Sequence, residues 1–406
     1  MASTAGTRTV APGRGREVAF SLALVAAMAA GALVQFLIGA LAPFIAEDLD
    51  LSRAAVGALT SALFASAALL SPVAGPLVDR LGSTTMLLVL FAGVVASAAG
   101  MAVAVALPGL LVAVALGGVG LAVMNPVTNL LIARRVPAGR QGTLTGLKQA
   151  GVFVGSAAVG LLVPAAAAQV GWRAVLAVVA LILVAVGVAA TLAASGRRPA
   201  VRPPARAPAL PPPAEVRLGW LTAYALTMGA AVSAFGAFLV LYAVDAVGLS
   251  AARAGAVLGL GSVVGVAARI AWGRAAERVA SIAAALALLA GLSAVAQGLI
   301  WAAPAWPALL WVGTVLYGAS ATAWNAVTML AVIRGVPAGR TGQASGTVQA
   351  GFFVGFIAAP VAFGALVDAT GGYDVSWAAT TGLFALATLL AGAWWRGERA
   401  GSDRPR

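Results

Sequence analysis

The chain has 406 residues, 62% of them hydrophobic and 9% charged, with a formal net charge of +13 and neither cysteine nor histidine. A composition this apolar excludes a water-soluble globule. The two missing residue types exclude disulfides, zinc–thiolate sites and histidine proton relays. No cofactor or metal is expected.

Residues 1–17 read as a basic, polar cytoplasmic tail that leads into an uncleaved first span. Runs of about 20 apolar residues then recur, the length that crosses a bilayer as helix. The alternating segments of about 10 residues that mark a membrane barrel are missing. Helices are expected at roughly 18–46, 53–78, 83–106, 109–133, 141–167 and 173–194, which form an N-terminal six-helix bundle over 18–195. Residues 196–217, "GRRPAVRPPARAPALPPPAEVR", hold seven prolines and read as an extended cytoplasmic linker. A second bundle over 218–396 is expected to place its helices at roughly 218–245, 251–273, 279–302, 306–333, 341–367 and 375–396, before a tail at 397–406. The expected fold class is therefore an all-α polytopic membrane protein with twelve transmembrane helices.

Arginine placement orients these spans. With the N-terminus inside, Arg80, Arg134, Arg135, Arg140, Arg274, Arg278, Arg334, Arg340 and the linker arginines all fall on the inner side, whereas the outer loops hold only Arg53, Arg173 and Arg253. That is a positive-inside bias. It places both termini in the cytoplasm of a multi-pass protein of the inner membrane. The +13 charge is then topology in a protein whose partner is the lipid bilayer, not nucleic acid.

The two bundles repeat each other. "NPVTNLLIARRVPAGRQGTLTGLKQAGVFVG" from Asn125 aligns without a gap on "NAVTMLAVIRGVPAGRTGQASGTVQAGFFVG" from Asn325, with eighteen of 31 positions identical. Earlier parts align as well, "LSRAAVG" on "LSAARAG" and "GPLVDR" on "GRAAER". Two parallel six-helix repeats are the pattern of a carrier whose halves rock around a midplane site.

The loop "GPLVDRLGS" resembles the signature loop of the major facilitator superfamily. Gly75, Asp79, Arg80 and Gly82 match it as gating or structural residues, Ser83 and Thr84 replace its trailing basic pair, and the second copy begins at Gly273. The resemblance covers about 18–396. It implies alternating access, with helices 5 and 8 facing each other between the halves and helices 1 and 7, which carry Phe36, Phe235 and Tyr242, lining the cavity.

Features common to both repeats suit architecture. Gly151 and Gly155 recur as Gly351 and Gly355, and small residues four apart let helices approach closely. Asn125, Thr128 and Gln149 recur as Asn325, Thr328 and Gln349; cavity lining and interhelical hydrogen bonding account for them equally well. Trp324, beside Asn325, is the leading aromatic candidate for the cavity wall.

Features that break the repeat are sharper. Lys148, the only lysine, aligns with Val348, and Arg269 aligns with Ser71. By helical rise Lys148 lies about 12 Å beyond Arg140, and Arg269 about 7 Å before Arg274. Both could snorkel to the interface. All twelve acids, however, fall at helix ends, in loops or in tails, and a charge at the bilayer centre costs about 3 kcal/mol on insertion scales, so one without a partner usually faces water or a ligand. Two cations from opposite halves suit a small anion held between them.

The segment "ARIAWGRAAER" is similar to the eighth helix of monocarboxylate and oxalate carriers, in which an arginine four residues before a glycine binds the substrate carboxylate; Arg269 and Gly273 keep that spacing. "GLKQAGVFVG" and the eleventh helix are similar to cyanate-permease-like carriers. The resemblance implies secondary transport of a small organic anion such as a monocarboxylate, with Lys148, Arg269, Asn125, Gln149, Trp324, Asn325 and Gln349 as substrate-binding residues. Protons as the coupling ion and anion exchange are both open. A proton-driven drug or metabolite exporter is the competing reading, although Ser156 and Val114 stand where such exporters carry a proline and an arginine. A metabolite receptor that moves nothing is the alternative of another class. No nucleophile with a nearby base points to an enzyme.

Overall fold

The computed structural model describes residues 14–195, 218–276, 279, 281–335 and 341–402, and every extended element among them is a helix. The linker expected at 196–217, Arg278 and Arg340 lie outside the described residues. The first half holds α1 (Arg14–Gly31), α2 (Leu33–Asp48), α3 (Arg53–Val103), α4 (Leu107–Arg135), α5 (Ala138–Val170) and α6 (Trp172–Ser195). The second holds α7 (Leu218–Asp245), α8 (Ala251–Ala276), α9 (Ile282–Trp301), α10 (Ala308–Ser320), α11 (Trp324–Gly335), α12 (Thr341–Thr370) and α13 (Asp374–Ser402).

Thirteen helices make twelve spans. The first expected span bends by 47° between α1 and α2, and the tenth breaks at 321–323 between α10 and α11. In the other direction, the 51 residues of α3 would reach about 76 Å if straight, against a hydrocarbon core of about 30 Å. Gly82, at φ 81° and ψ 162°, divides it into two spans. The loop expected around Asp79 and Arg80 is thus narrowed to one residue whose backbone conformation favours glycine; Asp79 and Arg80 themselves are helical and exposed. At its far end α13 runs past residue 396, where Arg399 stacks on Trp395 at 4.1 Å.

Polar contacts sort the helix ends onto two faces. Glu17 of α1 pairs with Arg140 of α5, and Ser281 before α9 donates to Glu398 of α13 at 2.7 Å. This is the terminal face. On the opposite face Arg173 pairs with Asp48, Trp301 donates to Asp374, and Arg53 pairs with Asp245.

Glycines set the packing distances. On α5 the backbone at Gly151 lies against the Val25 carbonyl of α1; on α12, Gly351 and Gly355 lie against the Thr222 and Leu226 carbonyls of α7. Each half therefore docks its fifth span on its first through the same small-residue stripe. The halves meet by equally close backbone approaches: Gly57 on Pro360, Gly364 on Arg53, Gly39 on Gly236, and Gly160 on Gly255 and Gly259.

These contacts run from the opposite face to mid-membrane. Gly75, Gly82, Gly146 and Gly346, on the terminal-side stretches of α3, α5 and α12, have open space where a Cβ would stand. Among the described residues, the close backbone approaches and hydrogen bonds between the halves lie at the opposite face and in mid-membrane.

Candidate functional site

Two stripes of α5 decide where its side chains go. Gly151 and Gly155 face α1, and Lys148, three residues before Gly151, shares that stripe. Phe153, Ser156 and Gly160 form the second stripe and face α8: Gly160 packs on Gly255 and Gly259, and the Ser156 and Ser262 hydroxyls bond at 2.7 Å.

Lys148 consequently turns into its own half. It is 1% exposed, and its ammonium donates to Asn129 Oδ1 at 2.6 Å, Thr128 Oγ1 at 2.8 Å and Asn125 Oδ1 at 3.4 Å, all on α4. Three N–H donors meet three neutral oxygens. Thr128 has a lone pair free for this because its own proton goes to the Met124 carbonyl at 2.6 Å.

Arg269 takes the other course. On α8 it continues the stripe of Gly255, Gly259 and Ser262, so it reaches the boundary between the halves. Its guanidinium lies 4.8 Å from the centroid of the Phe153 ring of α5. Its Nε–H donates to the Thr322 carbonyl at 3.0 Å, in the break between α10 and α11, where the chain leaves helical geometry. Both terminal nitrogens are without a hydrogen-bond partner among the described residues. Neither cation has a carboxylate partner there, and the two share no partner with each other.

The remaining expected residues lie along α2, α3, α5, α7, α8, α11 and α12. Gln149, Asn325 and Gln349 are half-buried, with no hydrogen-bond partner for their amides among the described residues. Trp324 is buried, edge-on to Tyr224 at 6.1 Å and tilted on Phe352 at 5.9 Å. Phe352 and Phe356 of α12 continue to Phe64 of α3, which closes the aromatic layer across the halves. Phe36 is half-buried, whereas Phe235 stacks on Tyr317 at 3.6 Å and Tyr242 donates to the Ile300 and Trp301 carbonyls. Gly75 is half-buried and Gly273 lies within α8, its surroundings outside the described residues. No cluster of three His, Cys, Asp or Glu exists among the described residues.

Three participants are new. Phe153 recurs as Phe353, so comparing the repeats hides it. The Thr322 carbonyl is backbone and is visible only once the tenth span breaks. Asn129 had a signal: it aligns with Met329 and breaks the repeat together with its bonding partner Lys148.

Two repeated six-span halves that close on each other at one face, with no carboxylate beside Lys148 or Arg269 among the described residues, define a membrane carrier of the two-repeat type. The chain belongs to the Major Facilitator Superfamily, whose family model matches residues 23–348. No curated protein sequence matches it. Among solved structures it resembles a bacterial homolog of the human lysosomal transporter Spinster, in an inward-facing and occupied conformation, with a TM-score of 0.74 and 17% identity over 95% of this chain and 98% of that one. The D-xylose–proton symporter (TM-score 0.73, 14% identity, 93% and 97%) and the nucleoside transporter NupG (0.72, 13%, 92% and 99%) share the fold as well.

Proposed function

We propose that this transporter carries a small organic anion, a monocarboxylate or a similar species, by alternating access between its halves. The observation that carries the reading is the state of Arg269. A permanently charged guanidinium stands at the boundary between the halves, fixed by Phe153 and the Thr322 carbonyl, with both terminal nitrogens unspent among the described residues. A flat group held by its Nε edge and its face still offers two parallel N–H donors, the geometry a carboxylate accepts. Half-buried amides at Gln149, Asn325 and Gln349, with no hydrogen-bond partner among the described residues, are further neutral donors available on α5, α11 and α12.

On the arginine bias, the terminal face is cytoplasmic, and the contacts that join the halves at the opposite face support an inward-open reading of this conformation. Coupling to protons would run through Lys148, the one buried ammonium; exchange of one anion for another is the competing scheme.

Purified protein in liposomes, offered a panel of radiolabelled monocarboxylates, dicarboxylates and inorganic anions, is expected to show uptake and counterflow of at least one carboxylate. Arg269→Ala is expected to abolish it. Binding without counterflow would indicate a receptor. Expulsion of a cationic dye by wild type and Arg269→Ala alike would indicate an exporter and end the anion reading. Uptake insensitive to a pH gradient leaves exchange.

A further inference from the structure

We infer that Asn129 and Asn125 are the anion donors of the first half, and that Lys148 acts through them as a positioning residue. This rests on the anion reading above. An ammonium has only protons to give, so both amides turn Oδ1 towards Nζ, at 2.6 and 3.4 Å, and their NH2 groups elsewhere. Lys148 is sealed at 1% exposure, whereas Asn129 is exposed and Asn125 half-exposed.

Their position on α4 says where the free NH2 groups stand. Gly118, Asn125 and Asn129 are spaced i, i+7, i+11 and share one strip. Nearer the opposite face, Gly118 packs against Leu63, Ser66 and Ala67 of α3. Towards the terminal face the strip is uncovered at Asn129, which is exposed. The buried charge is thus handed to the cavity wall as two oriented N–H donors, each polarised by the ammonium behind its oxygen. The desolvated cation stays satisfied whether the site is loaded or empty.

The internal repeat is an independent control. At the equivalent places of the second half stand Met329 and Val348, so the amide and the lysine are absent together. Asn325 and Thr328 remain there without them. The Thr328 hydroxyl is buried with no hydrogen-bond partner, while its counterpart Thr128 accepts from Lys148. The amide and the lysine are thus a pair, present in one half and absent from the other. One half carries the relay and the other carries Arg269.

The decisive variant is Asn129→Asp. It keeps an oxygen on Lys148, and so keeps or raises thermal stability, but gives the cavity no N–H. Using the carboxylates that wild type transports, Asn129→Asp, which removes the N–H donor and neutralises the ammonium behind it, is expected to raise KM by about tenfold or more, with maximal rate changed less, and Asn129→Met with Lys148→Val separates the lost donor from the added charge. Lys148→Val is expected to raise KM less than Asn129→Asp, because the amide survives but is no longer oriented. The pair Asn129→Met with Lys148→Val, which copies the second half, is expected to fold and to bind no better than Asn129→Asp. Wild-type KM in a folded Asn129→Asp overturns the relay and leaves the anion reading standing. No response to any anion in wild type overturns both.

Discussion

Arginine rather than lysine at position 269 follows from three demands placed on one side chain. Nε–H reaches a backbone carbonyl, a flat face lies on Phe153, and on the proposed anion reading two donors must remain for a guest. A lysine head is a point charge with no face and no fork. Arg269→Lys is therefore expected to keep the charge and still lose about tenfold or more in apparent carboxylate affinity, read as KM in uptake or as the ligand concentration needed for thermal stabilisation. Unchanged affinity would mean that charge alone is used. Phe153→Leu tests the stacking: a cation–π contact of about 0.5–2 kcal/mol corresponds to a weakening of between about twofold and thirtyfold. At this scale the sequence made Lys148 and Arg269 stand out, since each breaks the repeat. It did not reveal that one faces the partner half and the other its own, because that depends on which α5 stripe meets which neighbour.

Helices in this molecule touch where side chains are missing. Without a hydrophobic driving force in lipid, close backbone approach and the dispersion contacts it allows hold spans together. Gly151 shows the constraint, since a Cβ there would overlap the Val25 carbonyl. Gly146, five residues earlier on the same helix, has nothing nearby. Gly151→Leu is expected to lower the melting temperature in detergent by the equivalent of about 1–3 kcal/mol of overpacking, and Gly146→Leu to leave it unchanged. Equal melting of the two variants would show that the α1–α5 seam is more plastic than its geometry. The recurrence of these glycines two hundred residues apart made the seams legible before any coordinates. The breaks within the first and tenth spans were not: Gly31, beside the first, is one of many glycines in these spans, and residues 321–323 hold no glycine or proline.

For the molecule as a whole, the question is what holds the opposite face shut. The N-terminus of α3 presents backbone N–H groups with no partner inside the helix. Ser52 satisfies Ala55, and Asp368 of the other half accepts from Arg53 N and Ala54 N, both at 2.8 Å. Arg53 then reaches across to Asp245 at 2.7 Å, and Tyr373 donates to the same carboxylate oxygen. Burial, reinforced by the hydrogen bond to Asp245, pushes the Tyr373 phenol up, so it remains a donor. The latch is asymmetric. Residue 53 aligns with Ala251, and near this face the α5–α8 seam packs Gly160 on Gly255 and Gly259. A carboxylate that caps a helix across the boundary is lost the moment the halves separate, so it stabilises only the closed arrangement. Removing it with Asp368→Ala should shift the balance towards opening by about tenfold, the worth of a charge-assisted cap near a helix N-terminus. The absence of native cysteine makes this measurable. Ser61→Cys places a thiol beneath the latch, where Ser61 bonds the Ile357 carbonyl across the halves, and a membrane-impermeant maleimide applied from that face reports its exposure. Labelling about tenfold faster in the Asp368→Ala background is the expected result. Equal rates would show that the glycine seams alone keep this face closed, leaving the charges to shape its surface rather than its equilibrium.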